Sequence, residues 1–336
     1  MKHLKEFKIF ENQNGLSQDQ IDFLNRFVKG KWKINQETGF VDIEGDFICP
    51  RKGLTSLKEI RFGKVSGNFY FHINKSTSLE GAPQEVGGDF YCNNNRLTTL
   101  VGCPQEVGGH FYCDYNKLIS LEGAPKEVGG DFFCSDNQLT SLEGGPQEVG
   151  GHFDCSHNQL ITLEGAPQEV GGHFHCSHNQ LITLEGAPQE VVGRFVCGYN
   201  QLTSLKGAPQ KVKWYFNCDS NQLTSLEGAP QEVGETFYCN NNTVSEDSLS
   251  LIFSKMKEGN SYEESLGMVM DKINEEDLKL LLSNCNEEKL VDPIIELNSF
   301  KIFDWLKMNS TRLYNMVKSK MGGSLDLASD LGALGF

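Results

Sequence analysis

The sequence predicts a solenoid of stacked coils carrying a parallel β-sheet, with a small N-terminal helical cap and a C-terminal α-helical domain. Three observations predict it. The chain repeats itself every 21 residues, without a slip, from Phe71 to Cys239. Each repeat carries Phe-x-Cys, a short alternation of apolar and polar residues that reads as a half-buried strand. One asparagine then recurs in every repeat: Asn74, Asn95, Asn116, Asn137, Asn158, Asn179, Asn200, Asn221 and Asn242. A period of this length marks a repeat architecture in which a coil buries its apolar side only against its neighbours.

Residues 1–44 form the front cap, which is needed because a terminal coil would expose a hydrophobic cross-section. Ser17-Gln18-Asp19-Gln20 is a helix start, and Ile21, Leu24, Phe27 and Val28 form one apolar face. Trp32 to Ile43 reads as an irregular hairpin leading into the first coil.

Residues 45–243 are the solenoid, about ten coils beginning at Gly45-Asp46-Phe47-Ile48-Cys49. Within a coil, Phe153 and Cys155 point inward and the residue between them points to solvent. Eight of the eleven cysteines share one position: Cys92, Cys113, Cys134, Cys155, Cys176, Cys197, Cys218 and Cys239. Evenly spaced single cysteines, with no CxxC pair, read as small buried apolar residues in a reducing compartment. The asparagine amide can both donate to and accept from the backbones of adjacent coils; a carboxylate cannot donate and a leucine does neither. Leu160 and Leu163 exemplify two further apolar columns. Pro167 fixes an extended return path on the far side, and Val170 turns back into the core.

Residues 244–321 read as a helical domain of four to six short helices. Ser245-Glu246-Asp247 caps a helix that stops at Gly259. Helical periodicity continues over Tyr262–Ile273, Glu275–Leu282, Leu290–Leu297 and Phe300–Met321, with Pro293 expected near a helix start or a break. Residues 322–336 open with Gly322-Gly323 and continue with interspersed Leu and Asp, a flexible or docking tail.

Phe153-Asp154-Cys155-Ser156-His157-Asn158-Gln159-Leu160 matches most of the core LxxLxLxxNxL, so the chain resembles bacterial leucine-rich-repeat proteins over roughly residues 45–242. The resemblance implies a leucine-rich-repeat solenoid as the fold class. The 21-residue step and the Pro-containing back resemble the short-repeat effectors of enteric pathogens. The first Leu of the motif is usually Gly here (Gly150, Gly171), with Val one residue earlier. Some members of that class carry a C-terminal ubiquitin-ligase domain with a catalytic cysteine. Here Cys285 sits in Leu282-Ser283-Asn284-Cys285-Asn286-Glu287, without the Cys-x-Asp pattern of those enzymes, and the ligase reading is rejected. Met1-Lys2-His3-Leu4-Lys5-Glu6-Phe7-Lys8-Ile9-Phe10-Glu11 resembles the openings of tailed-bacteriophage proteins. In some of these a basic-aromatic leader is cut after an Ile/Leu-x-Glu site, which Ile9-Phe10-Glu11 fits.

Function is expected where repeats differ on their outward strand positions. That column reads Tyr70, Tyr91, Tyr112, Phe133, Asp154, His175, Val196, Asn217 and Tyr238. Its aromatics supply large contact area at low entropy cost for a protein partner, and they equally stabilise a sheet by stacking. His152, Asp154, His173 and His175 fall on one face of two adjacent coils and have the chemistry to chelate a divalent metal. That spacing is a by-product of duplication, so solvent-facing polar residues are the preferred reading, and no metal or cofactor is expected. The Glu85/Glu106/Glu127/Glu148/Glu169/Glu190 column and its companion at Glu80, Glu122, Glu143 and Glu164 read as a solvated acidic back.

A formal charge of −15 argues against binding a nucleic-acid backbone, which needs clustered Lys and Arg. No run of 18 apolar residues predicts a membrane span, and the N-terminus lacks the apolar stretch of a Sec-type signal, so a cytoplasmic location is expected. No Ser-His-Asp arrangement, phosphate loop or dinucleotide fingerprint is present. The expected function is a non-enzymatic protein-interaction scaffold, with a host protein as partner if the phage resemblance holds. A structural or packaged virion protein is the alternative.

Overall fold

The computed structural model describes residues 15–57, 59–283, 285, 287–297 and 299–321. The expectations for Met1–Glu11 and for residues 322–336 lie outside the described residues. The chain divides into two compact units, Met1–Leu181 with Glu185–Val196, and Ile182–Leu184 with Cys197–Phe336. The fold is a solenoid of parallel strands, as expected, with a helix before the coils and helices after them.

In the first unit, α1 (Gln18–Phe27) opens with a capping box. Ser17 Oγ accepts from the Gln20 amide at 3.3 Å, and Gln20 Oε1 accepts from the Ser17 amide at 2.7 Å. Leu24 and Phe27 are buried as expected. Val28 instead turns extended and starts β1 (Val28–Ile34), which pairs antiparallel with β2 (Val41–Ile48) from Val28↔Phe47 to Ile34↔Val41. The stretch expected to be irregular is thus a regular hairpin. Lys29, Lys31 and Lys33 lie opposite Asp46, Glu44 and Asp42, a run of opposite-charge cross-strand pairs that sets its register. The other side of β2 pairs parallel with the next coil, Phe47↔Phe69, making β2 the first rung of the solenoid.

The coils from Glu85–Tyr91 to Glu169–His175 each contribute two two-residue strands around a Gly-Gly bend. The expected series, Phe69–Tyr70 to Phe195–Val196, stacks parallel and in register. A second series was not expected: Glu85–Val86, Glu106–Val107, Glu127–Val128, Glu148–Val149 and Glu169–Val170 also pair parallel. Two residues are too few to show a period of two, so nothing in one repeat announces this strand. Between the two series lie the buried columns. Phe69, Phe90, Phe111, Phe132, Phe153 and Phe174 stack ring on ring, and the repeat cysteines, both Leu columns and the Val column are buried with them.

The glycine in place of the first motif Leu has a packing reason. A Cβ at Gly171 would lie 2.1 Å from the Gly150 carbonyl oxygen, and one at Gly150 would lie 2.2 Å from that of Gly129. Glycine at these positions avoids that clash as consecutive coils close to strand spacing. Val192 stands at the equivalent position of the next coil. Among the described residues, the Glu–Val sheet runs through Glu169–Val170 and is interrupted before Glu190–Val191.

The asparagine column bridges coils as its chemistry predicts. Asn158 Nδ2 donates to the Cys134, Cys155 and Ser156 carbonyls at 3.1 Å each, while its Oδ1 accepts from the Leu139 amide at 2.9 Å. The residue before each asparagine is left-handed, with φ of 52–56° from Ile73 to Asn241, and Arg51 is left-handed at the equivalent place in the first coil.

In the second unit, Phe216–Asn217 pairs parallel with Phe237–Tyr238, and Lys211–Val212 with Glu232–Val233. Among the described residues six α-helices follow: α2 (Glu246–Met256), α3 (Tyr262–Val269), α4 (Glu275–Ser283), α5 (Glu287–Leu297), α6 (Phe300–Asn309) and α7 (Thr311–Lys320). Phe253 of α2 stacks on Phe237 at 3.9 Å and covers that coil. Helix α2 stops before Gly259, as expected, while Phe300–Met321 is two helices broken at Ser310. The expectation for Pro293 is corrected: it lies inside α5, buried, against Gly267 of α3, where a Cβ would fall 2.2 Å from the Pro293 Cβ. Packing of the pyrrolidine ring between the two helices compensates for the backbone donor that proline lacks. No helix among the described residues is long and apolar enough to cross a membrane.

Candidate functional site

The outward column of the first unit comes together as the repeat requires. Parallel in-register strands place each outward side chain directly on its equivalent one coil away. Tyr70 and Tyr91 stack at 4.8 Å between centroids, Tyr91 and Tyr112 at 4.5 Å, and Tyr112 and Phe133 at 5.1 Å, all within 17° of parallel. All four are half-buried. The tyrosine hydroxyls are tied to the neighbouring column: Tyr91 donates to Asp89 at 3.2 Å, and Asn68 donates to Tyr70 at 3.0 Å. Burial, with Asp89 next in effect, pushes the Tyr91 hydroxyl well above the usual phenol range. Because the interior rings cover one another's faces, ring edges form the accessible surface. Base stacking needs an open ring face, and this strip does not provide one along its length.

Beyond Phe133 the column turns polar at Asp154 and His175, both half-buried. Asp154 Oδ1 accepts from the Ser156 amide at 2.9 Å and the Ser156 hydroxyl at 2.6 Å. His175 is held below the usual imidazole range by burial, against the opposing pull of Asp154, and its Nε2 is shielded without a hydrogen-bond partner. Beside the rings, Asp114 is pushed above the usual carboxylate range, first by burial and further by Asp136 and Asp154. Tyr238 belongs to the second unit, where it is exposed and meets Tyr215 edge-on at 5.5 Å.

Two of the residues singled out for metal chemistry, His152 and His173, have another task. Their column, one residue before each buried phenylalanine, is a ladder of side-chain acceptors that ties each coil to the backbone of the next. Asp46 accepts from the Asn68 amide at 2.7 Å, Asn68 from Asp89 at 2.7 Å, and Asp89 from His110 at 2.8 Å. His110 Nδ1 accepts from Asp131 at 2.8 Å, and Asp131 from His152 at 2.6 Å. His152 Nδ1 accepts from His173 at 2.8 Å, and His173 Nδ1 from Arg194 at 3.1 Å. The His152 and His173 rings stack at 4.2 Å, each with its Nδ1 committed to a backbone amide. Among the described residues, no three His, Cys, Asp or Glu are grouped to hold a metal ion. From the sequence, His152 and His173 read as solvent-facing polar residues. The missed signal was the acceptor atom that Asp, Asn and neutral His share.

The glutamates of the second strand series line an open groove of about 1170 Å³, from Glu85 to Glu190, floored by Val86, Val107, Val128, Val149 and Val170. Lys64 pairs with Glu85 at 2.6 Å at one end. The repeat thiols are inert: burial pushes Cys155 well above the usual thiol range, and its Sγ donates to the His175 carbonyl at 3.4 Å. Cys285, half-buried in the second unit, is pushed up to about 12, chiefly by burial.

No family model matches the chain, and no curated protein matches it. Among solved structures, it is similar to YopM from Yersinia enterocolitica WA-314 at 16% identity and a TM-score of 0.22. That match covers 59% of this chain and 64% of the YopM chain.

Proposed function

We propose that the chain is a non-enzymatic scaffold that binds a protein partner. In the first unit the contact residues are Tyr70, Tyr91, Tyr112, Phe133, Asp154 and His175, with Tyr238 a separate outward aromatic on the second unit. The four-ring stack carries the reading. Its rings are fixed by their neighbours, so a partner that covers their edges orders few new rotamers, which is where binding surfaces gain most. The negative charge of the chain disfavours nucleic acid as that partner. The finer reading is a phage-encoded chain acting on a host protein in the bacterial cytoplasm, and it is supported by the resemblance at Met1–Glu11 alone.

The test compares proteins that copurify from bacterial lysate with the tagged full-length chain and with a Tyr91→Ala, Tyr112→Ala, Phe133→Ala variant of native circular dichroism. A stoichiometric partner held by the wild type and lost by the folded variant is the expected result. A partner retained by the variant overturns the assignment of this face.

A further inference from the structure

The acceptor ladder is chemically uneven along the first unit. From Asp46 to Asp89 its acceptors are carboxylates or an amide, which keep their lone pairs at mildly acidic pH. At His152 and His173 the acceptor is a ring nitrogen, which accepts only while that nitrogen carries no proton. A proton there replaces N–H···N with two opposed N–H groups at 2.8 Å and 3.1 Å. Closely packed glycines lie over each acceptor: a Cβ at Gly172 would fall 2.2 Å from His152 Nδ1, and one at Gly193 would fall 2.0 Å from His173 Nδ1.

We propose that the coils from His152 to Arg194 form an acid-sensitive joint, released when His152 and His173 take up protons, while the coils joined through Asp46, Asn68 and Asp89 stay closed.

The surroundings favour release over compensation. His173 faces His152, Arg194 and His175, with Asp131 the opposing charge. His152 faces Asp131, His173 and His175, with Asp154 on the same coil face. The adjoining strands contribute Glu148, Glu169 and Glu190, which are exposed. Burial first, then His152 and Arg194, hold His173 down to about 4. An unfolded histidine takes its proton near 6.5, so this group removes stability as pH falls from about 6.5 to about 4, and no more below that. His110 is a built-in contrast: Asp131 Oδ2 lies 3.2 Å from its Nδ1, so a proton there gains an ion pair.

The test is backbone hydrogen exchange of the full chain, with protection factors compared between about pH 7 and about pH 4. The His173 and Arg194 amides are expected to lose protection by about tenfold or more relative to the Asn68, Asp89 and His110 amides. His152→Asn with His173→Asn keeps an acceptor of the kind Asn68 already supplies, and this variant is expected to abolish the difference. Parallel loss at all five amides, or an unchanged acid response in the double variant, contradicts the proposal. So does an NMR assignment of the Nδ1–H tautomer to either ring at neutral pH.

Discussion

Asn158 shows how much one side chain carries in this repeat. It donates to three carbonyls from two coils and accepts from the Leu139 amide of the preceding coil, all in a buried setting. Asn158→Asp keeps the shape but points a carboxylate at three carbonyl oxygens, and it is expected to cost about 3 kcal/mol or more. Asn158→Ala should cost less, about 1–3 kcal/mol, because it leaves groups unpaired without adding a buried charge. Shifts in denaturation midpoint would rank the two, and an Asp variant as stable as the Ala variant would show that the bridge is not what holds this position. One residue earlier the backbone is left-handed in every coil, and Ile73, at φ 54°, is the β-branched residue among them. Asn94 and Asn241 occupy the same place in other coils, so Ile73→Asn should stabilise the chain by about 1 kcal/mol. A loss of stability on that substitution would mean that partial burial of Ile73 outweighs its backbone strain. The asparagine column was legible in the sequence because its residue never varies. The left-handed column was not, since Arg, Ile, Tyr, Asp and His share no side-chain chemistry that marks the turn.

At the level of elements, legibility followed length and chemistry. Helix α1 was readable from Ser17 and Gln20, and its buried face from Leu24 and Phe27, because capping and 3.6-residue spacing are local signals. The Glu–Val strands were unreadable, because two residues and a Gly-Gly bend carry no periodicity. The position of Pro293 was misjudged for a different reason: helix-breaking by proline is a local rule, and close packing of α3 on α5 overrides it. Gly267 makes that packing testable with a reversed sign. In an isolated helix, Gly→Ala adds about 1 kcal/mol of helix stability. Here Gly267→Ala drives a methyl group against Pro293, and a loss of about 1–3 kcal/mol is expected from thermal unfolding. A stabilised variant would indicate that α5 does not sit on α3 as described. The candidate site divides in the same way. The ring column was plain from the 21-residue register, whereas the neighbouring acceptor ladder was hidden by mixed residue types, and its His152 and His173 read only as solvent-facing polar residues.

For the whole molecule, the repeat makes function a matter of surface. Core columns are nearly invariant from coil to coil, the bridging columns hold the coils together, and the outward strand column is where identity changes from tyrosine to aspartate to histidine. Stacking makes the tyrosine strip serve stability as well as the proposed contact, since each ring pair contributes about 0.5–1.5 kcal/mol beyond its burial. Loss of binding in an aromatic variant therefore has meaning only when the variant is folded. The most direct measurement is a calorimetric titration of the copurified partner into the wild type and into the folded Tyr91→Ala, Tyr112→Ala, Phe133→Ala variant. An affinity weaker by about thirtyfold or more, the effect of removing a binding hot spot, is the predicted result. Equal affinities for the two proteins would contradict the assignment of this face as the binding surface.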